Sequence, residues 1–210
     1  MLGRDLTLAA VVLLVTSCET GGPRAKPTPE TSPPPELPIE EQVKILAGKS
    51  RPGPRHAALA PLAGTWDVVV SNLSSEGHET ELFPGRATLS SILGGRFLRW
   101  EESIDFKGTP ATTTGFLGFD SRLDEYELLM ISDLAQGMEV SRGNGDLAGS
   151  GLVLTLEQLD PRTGTRVRSR SRIRILAADH FVLEQLEPDA SGGERAGRVW
   201  HHRRAPPSTR

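Results

Sequence analysis

From residue 64 to residue 203, apolar and polar residues alternate with a period of two over a series of short segments. Clusters of Gly, Asn, Asp, Ser and Pro separate the segments, as at residues 143–146 and 160–164, and such clusters are typical of hairpin turns. The pattern predicts strands at residues 65–72, 85–92, 96–106, 112–119, 125–132, 138–143, 152–159, 165–176, 180–186 and 195–203. We therefore expect an all-β, antiparallel up-and-down barrel of about eight to ten strands, because closure removes exposed strand edges. An open two-sheet sandwich is the alternative, whereas a parallel sheet would need long crossover helices that the pattern does not contain.

The first predicted strand begins at Gly64-Thr65-Trp66, directly before a run of β-branched residues. Ahead of it, Ile39, Val43 and Leu46 recur at i, i+4 and i+7 and predict a short helix over residues 39–47, with Gly48 as its stop. The chain has 22 Gly and 16 Pro among 210 residues, which suits a turn-rich β domain with disordered flanks. The net charge of −3 gives no reason to expect a nucleic-acid partner.

Residues 6–15 form an apolar run of signal-peptide length, too short to cross a bilayer as a helix. The run ends in Val15-Thr16-Ser17-Cys18, which resembles the lipobox of bacterial lipoproteins. The resemblance implies that Cys18, the single cysteine of the chain, is the first mature residue and carries the lipid that anchors the protein to the membrane. Glu19 follows it, whereas an inner-membrane retention signal of such lipoproteins is aspartate, so we expect the outer membrane. An ordinary signal peptide with an incidental cysteine and a cytosolic start are the alternatives.

Seven prolines lie between Pro23 and Pro38, interleaved with Thr, Ser and Glu. A segment with so few apolar residues cannot bury enough surface to order itself. It is predicted to be an extended tether with a reach of roughly 60 Å. The expected organisation is a lipoprotein signal peptide at residues 1–17, a Pro-rich disordered tether at 18–38, a short helix and linker at 39–55, the barrel domain at 56–204 and a disordered tail at 205–210.

Several ordered segments resemble motifs of the DUF1579 family of uncharacterised bacterial proteins. They are Pro52-Gly53-Pro54-Arg55-His56 with Leu62-Ala63-Gly64-Thr65-Trp66, then Leu93-Gly94-Gly95-Arg96-Phe97-Leu98, Gly118-Phe119-Asp120, and Asp160-Pro161 with Thr163-Gly164. The resemblance implies a calycin-like barrel, related in shape to lipocalins and fatty-acid-binding proteins, and it implies no activity. In lipocalin-like barrels an arginine of the last strand packs over the tryptophan of the first. The resemblance therefore implies that Gly64, Trp66 and Arg203 close the barrel, with Arg204 as the alternative arginine.

One predicted strand carries a carboxylate on its apolar face. In residues 96–106, Glu102 falls on the same face as Leu98, Trp100, Ile104 and Phe106. An inward Glu102 would need an arginine or a ligand, because an unpaired buried carboxylate is costly. A bulge that turns Glu102 outward, or a place at the barrel rim, is the alternative. The residues expected to face a ligand in the lumen are Trp100, Glu102, Phe119, Tyr126, Leu128 and Met130.

Arginines and histidines offer further candidates. Arg166, Arg168, Arg170, Arg172 and Arg174 alternate along one strand, and we expect a solvated outer face paired with Glu157, Glu184 and Glu187. Recognition of an anionic lipid or another polyanion is the alternative. The histidines are His56, His78, His180, His201 and His202. His201 and His202 are adjacent on a strand and point to opposite faces, so they cannot chelate one metal.

His56 is interpreted as a hydrogen-bonded tie between the segment before the barrel and the barrel floor. Haem ligation by one of the histidines, as in nitrobindin-like proteins, is the alternative. The only cysteine lies in the lipobox, and no nucleophile, base and orienting group can be assembled from the sequence. The sequence therefore predicts a non-enzymatic, lipid-anchored envelope protein that binds a small, partly apolar ligand in its lumen, without cofactor, metal or nucleic acid. A filled barrel that acts as a structural or protein-interaction module is the alternative, and the oligomeric state is left open.

Overall fold

A computed structural model describes residues 37–135, 137–160, 163–189 and 191–206. The strands are β1 Gly64–Leu73, β2 Glu79–Ile92, β3 Phe97–Phe106, β4 Thr109–Asp120, β5 Glu125–Ser132, β6 Glu139–Asp146, β7 Gly151–Leu159, β8 Arg166–Ala177, β9 His180–Pro188 and β10 Glu194–Arg204. Each strand pairs antiparallel with its sequence neighbours, and β10 pairs with β1. The predicted all-β, up-and-down antiparallel barrel is confirmed, and it has ten strands. Closure of the ring excludes the sandwich alternative.

Strand β2 begins six residues before the predicted start at Gly85, so Pro84-Gly85 lies within a strand. Proline is disfavoured inside a sheet, because it cannot donate to a strand ladder. In the structure Pro84 pairs with Val69 on β1, while the pairing of β2 with β3 begins only at Gly85. Pro84 therefore lies where β2 has a neighbour on one side.

Strand β6 continues through Gly143-Asn144-Gly145-Asp146, which the sequence predicts to be a turn. Gly145 has φ +153°, and a Cβ atom built on it would lie 2.1 Å from the carbonyl oxygen of Gly151 on β7. The glycine therefore permits a close approach of two strands rather than a reversal. The turn to β7 falls at residues 147–150 instead.

Helix α1 spans Ile39–Lys49 and ends one residue after Gly48, its predicted stop. Its apolar side chains Ile39, Val43 and Leu46 are exposed. Among the described residues, no helix has both the length and the apolar character needed to cross a membrane. Cys18, the signal peptide and nearly all of the predicted tether lie outside the described residues.

One end of the barrel lumen is sealed by the segment that precedes β1. This segment contains helix α2, Pro54–Ala57, and a 3₁₀ turn at Ala60–Leu62. Leu59 and Leu62 are fully buried in the core of the barrel. The Tyr126 hydroxyl donates a hydrogen bond to the Arg55 carbonyl at 3.0 Å, which ties the segment to β5. We call this the closed end of the barrel.

His56 plays a different part in this seal from the one predicted. Its Nδ1 accepts a hydrogen bond from the Gly53 backbone N–H at 3.0 Å, which is a contact within the segment. Its ring meets the Phe119 ring edge-on, with centroids 5.6 Å apart. Hydrogen bonds between the segment and the barrel come from strand residues such as Tyr126 and Trp66, whereas His56 contributes an aromatic contact.

The seam between β1 and β10 is closed by Trp66 and Arg204, which lie opposite each other in the register. The Arg204 guanidinium carbon stands 4.3 Å from the Trp66 ring centroid, a cation–π geometry. The prediction of Arg203 is wrong, because Arg203 lies opposite Asp67 and so is on the other face of the sheet from Trp66. Gly64 has φ +144°, and a Cβ atom there would lie 2.3 Å from Arg204 Nη1. The glycine leaves the space that the guanidinium occupies.

Replacing Arg204 should weaken the seam, whereas replacing its neighbour should not. Arg204 also donates hydrogen bonds to the carbonyls of Ala63 and Pro61, each at 3.2 Å. We expect Arg204→Ala to lower the free energy of unfolding by about 1–2 kcal/mol. Arg203→Ala, the matched control, should change it by less than about 0.5 kcal/mol. Urea unfolding followed by far-UV circular dichroism measures both, and a larger loss for Arg203→Ala would contradict the assignment.

Candidate functional site

The other end of the barrel contains a cavity of about 400 Å³. Its apolar wall includes Ile104, Phe106, Leu128, Met130, Leu183 and Trp200. Its polar wall includes Thr113, Ser132, Ser141, Gln158, Ser169, Ser171 and Gln185. These side chains point inward from most strands of the ring, because alternate residues of a strand face the lumen. The lumen is thus filled with side chains at the closed end and hollow at the other, which we call the open end.

Glu102 lines this cavity and is only 8% exposed. Its Oε2 lies 3.0 Å from His202 Nε2 and 3.3 Å from Trp100 Nε1. The inward orientation expected from strand parity is confirmed, and the alternative of an outward bulge is excluded. The partner of the carboxylate is a histidine, whereas the sequence suggested an arginine or a ligand.

The His202 ring is held from several sides. It is fully buried and stacks on Phe181, with ring centroids 4.1 Å apart and planes 10° from parallel. Trp100 meets its edge at 5.4 Å. Nε2 faces Glu102, and Nδ1 has no hydrogen-bond partner among the residues that the structure describes. The ring therefore contacts the cavity carboxylate through Nε2 alone.

The structure divides the predicted ligand-facing residues into two groups. Glu102, Leu128 and Met130 line the cavity, as expected. Phe119 and Tyr126 do not, because their register places them at the closed end, where their rings pack 5.1 Å apart beneath the α2 segment. Trp100 is fully buried and reaches the site only through its bond to Glu102. The prediction that these three side chains line a ligand cavity is corrected accordingly.

Two cavity residues on β10, Trp200 and Arg198, are absent from the sequence-based predictions. Both line the cavity, and the Arg198 guanidinium carbon is 5.8 Å from the Trp200 ring centroid. Arg198 Nε also donates to Asn72 Oδ1 at 2.8 Å. Alternate residues of a strand share one face, so Arg198 and Trp200 lie on the same inner face as the buried His202. This alternation is the sequence signal that could have identified both residues.

The remaining histidines lie away from the cavity. His180 Nε2 and His201 Nδ1 are 3.3 Å apart, and His201 Nε2 lies 3.0 Å from Glu79 Oε1. Burial lowers the pKa of His180, and the charges of Arg203 and His201 add to this effect. His201 and His202 face opposite sides of β10, as parity predicts. Within the described ranges, no group of three or more His, Cys, Asp or Glu side chains could hold a metal ion.

The arginine ladder on β8 is paired along its second half. Arg172 Nε lies 2.6 Å from Glu184 Oε2, and Arg174 Nη2 lies 2.6 Å from Glu184 Oε1. Arg170 Nη1 bonds Glu194 Oε2 at 2.5 Å. The expected pairing is confirmed for Glu184. The predicted partner Glu187 instead binds Arg195, and Glu157 lies opposite Arg168 in the register.

Glu184 is buried on the outer face of the sheet, at 6% exposure. Burial by itself raises the pKa of its carboxyl group, but the hydrogen bonds from Arg174 and Arg172 outweigh burial and hold that pKa below its usual value of 4.5. A carboxylate with a lowered folded-state pKa stabilises the fold above its unfolded-state pKa. That stabilisation is lost as the pH falls through the folded-state value.

Glu184→Gln should therefore destabilise the barrel in a pH-dependent way. At pH 7 we expect a loss of about 1–3 kcal/mol in the free energy of unfolding. The gap to the wild type should shrink as the pH falls below 4.5, because the wild-type carboxylate then loses its charge as well. Glu187→Gln, which removes a more exposed carboxylate, is the control and should cost less than about 0.5 kcal/mol. A gap for Glu184→Gln that stays constant from pH 7 to pH 3 would contradict the assignment.

The family model described as "Protein of unknown function (DUF1579)" matches residues 51–197. No curated protein matches the chain. Among solved structures, the chain is similar to the crystal structure of Rv2717c from M. tuberculosis, at 19% identity and a TM-score of 0.49, over 74% of this chain and 100% of that one. It is also similar to a redesigned β barrel, b11L5F_LGL, at 13% identity and a TM-score of 0.37, over 74% and 100% of the two chains. Because the family model covers more than half of its length and spans nearly all of the barrel, the chain belongs to the DUF1579 family of proteins of unknown function.

Proposed function

We propose that this protein is a lipid-anchored envelope protein whose barrel binds a small, partly apolar ligand in the lumen and performs no chemistry on it. The observation that carries the proposal is the cavity of about 400 Å³ at the open end. Ligand sites commonly have volumes of about 300–1,000 Å³ and combine an apolar wall with a few polar groups. Small barrels with no ligand usually fill their interior with side chains.

The wall chemistry supports an amphipathic ligand. Trp200, Met130 and Ile104 offer an apolar surface, against which burial of a hydrocarbon is worth about 25 cal/mol per Å². The serine hydroxyls and glutamine amides of the polar wall can bind water or a polar group of the ligand. A purely apolar ligand would strip water from these groups without replacing its hydrogen bonds.

The geometry of His202 supports the non-enzymatic part of the proposal. A histidine that activates a nucleophile bonds a hydroxyl or thiol through one ring nitrogen and an orienting carboxylate through the other. In the described structure, the Nε2 side of His202 meets the carboxylate of Glu102, and Nδ1 faces no hydroxyl. The alternative role, a filled barrel that serves as a structural or interaction module, fits the closed end but leaves the cavity at the open end without a purpose.

The membrane anchor is proposed from the sequence. Cys18 follows an apolar leader in a lipobox-like context, and the Pro-rich segment after it would hold the barrel at a distance of up to roughly 60 Å. Two or more acyl chains give durable anchoring, at about 0.8 kcal/mol per buried methylene. Glu19 favours the outer membrane within this proposal.

Filling the cavity should abolish binding without unfolding the barrel. Ser171 lines the cavity, whereas Ser103 is exposed on the outer face of β3. The chain from residue 19 onward contains the complete ring of strands and can be titrated with 1-aminoanthracene, an amphipathic fluorophore. We expect Ser171→Phe to weaken binding of this probe at least about tenfold and the matched Ser103→Phe to leave it unchanged. Equal binding by the wild type and Ser171→Phe would place the probe elsewhere, and no binding to the wild type would overturn the proposal.

Replacing Cys18 tests the anchor separately from the ligand. With Cys18→Ser in the full chain, the acceptor of the lipid is lost, so the protein should leave the membrane fraction and appear in the soluble fraction of the envelope. Metabolic labelling with palmitate should fall to background in the same variant. A Cys18→Ser protein that still carries label, or that still fractionates with membranes as the wild type does, would overturn the proposed anchor.

A further inference from the structure

We propose that the lumen selects ligands whose polar head is a hydrogen-bond donor, with a protonated amine preferred, and that Glu102 is the residue that receives this head. The inference rests on the proposed function and names the ligand class that the cavity would take. It rests on Oε1 of Glu102, which has no donor among the described residues. The protein's own contacts are made to Oε2, the other oxygen of the same carboxylate.

The carboxylate of Glu102 is bonded on one side only. His202 Nε2 and Trp100 Nε1 both end on Oε2. Among the residues that the structure describes, none donates a hydrogen bond to Oε1, although the side chain is 7% exposed and lines the cavity. Both nitrogens of the protein therefore use the same oxygen of the carboxylate. The second oxygen is thus an acceptor without a donor from the described residues, on a side chain that lines the cavity.

The surroundings of Glu102 indicate which donor suits Oε1. His202 Nε2 reaches Oε2 and leaves the second oxygen of the carboxylate without a donor. The Trp100 and Phe181 rings pack against His202 and each other, so the core side of the pair is apolar. A carboxylate in such surroundings gains more from a cation than one in water does, because the effective dielectric constant is lower. An ammonium head at Oε1 would supply the missing donor together with a positive charge.

An anionic head has weaker support. The basic residues that line the cavity are Arg170 and Arg198. Arg170 is bonded to Glu194 and its side chain is 41% exposed, and Arg198 is bonded to Asn72. A ligand carboxylate at Arg170 would therefore bind near solvent, where the ion pair is worth little. At the half-buried Arg198 it would have to share the guanidinium with Asn72. The same ligand would also place a second negative charge in the lumen that contains Glu102.

Three ligands that share a ten-carbon alkyl group and differ in their polar head test which head the lumen prefers. Decylamine, decanol and decanoic acid are each used to displace 1-aminoanthracene from the chain of residues 19–210 at pH 7. We expect decylamine to bind at least about tenfold more tightly than decanoic acid, with decanol between them. Glu102→Gln, which keeps the shape and an acceptor for His202, should remove most of the preference for the amine and change decanol binding by less than about threefold. Glu139→Gln, which neutralises another carboxylate of the same cavity wall, should preserve the preference.

The outcomes separate the inference from the proposed function. Tighter binding of decanoic acid than of decylamine, or an amine preference that persists in a folded Glu102→Gln protein, would overturn the inference while the lumen remained a ligand site. Binding of 1-aminoanthracene with no displacement by any decyl ligand would also overturn it. Failure of all four compounds to bind would overturn the proposed function itself. If Glu102→Gln does not fold, the head-group order on the wild-type protein still decides.

Discussion

The structure depends on the seam where the first strand meets the last. Arg204 lies over Trp66, the Trp66 ring meets Phe181 edge-on at 4.8 Å, and Phe181 stacks on His202. His202 in turn holds Glu102 at 3.0 Å. Closing the barrel therefore builds a continuous series of aromatic contacts that runs from the end of β10 to the wall of the cavity. The position of the cavity carboxylate follows from the same contacts that close the ring.

The closed end and the open end of the barrel are stabilised by different interactions. The closed end is packed with apolar side chains under the α2 segment, and their burial stabilises the domain. The open end can tolerate hydroxyl and amide groups because its walls are held by the backbone hydrogen bonds of a ring without edges. Ser132, Ser141 and Ser171 would be costly in a sealed core, but in an open cavity they can be solvated. This division leaves one half of the lumen free for a ligand.

Strand positions and strand faces could be predicted from the sequence, because both follow from a period of two and from turn chemistry. All ten strands were expected, and parity alone placed Glu102 inside. The depth of a residue along the barrel axis could not be predicted, since it depends on the stagger of the whole ring. Phe119 and Tyr126 therefore appeared equivalent to Met130, although they lie under the α2 segment. Arg203 and Arg204 could be separated only by the register against Trp66, and Gly143 and Gly145 resemble turn glycines until the approach of β7 is known.

Glu102 is the most informative residue of the lumen, because a contribution to stability does not explain a carboxylate at this position. Position 102 follows Trp100 and precedes Ile104 on an inward face, so an aliphatic side chain there would extend the core without loss. A carboxylate at the same position loses hydration, which is costly for a buried charged group. His202 Nε2 and Trp100 Nε1 both lie within hydrogen-bond distance of Oε2 alone, and the Glu102 side chain lines the cavity. A buried charge that is half satisfied by the protein and half open to a ligand-sized space is consistent with a recognition group whose second partner comes from outside the chain.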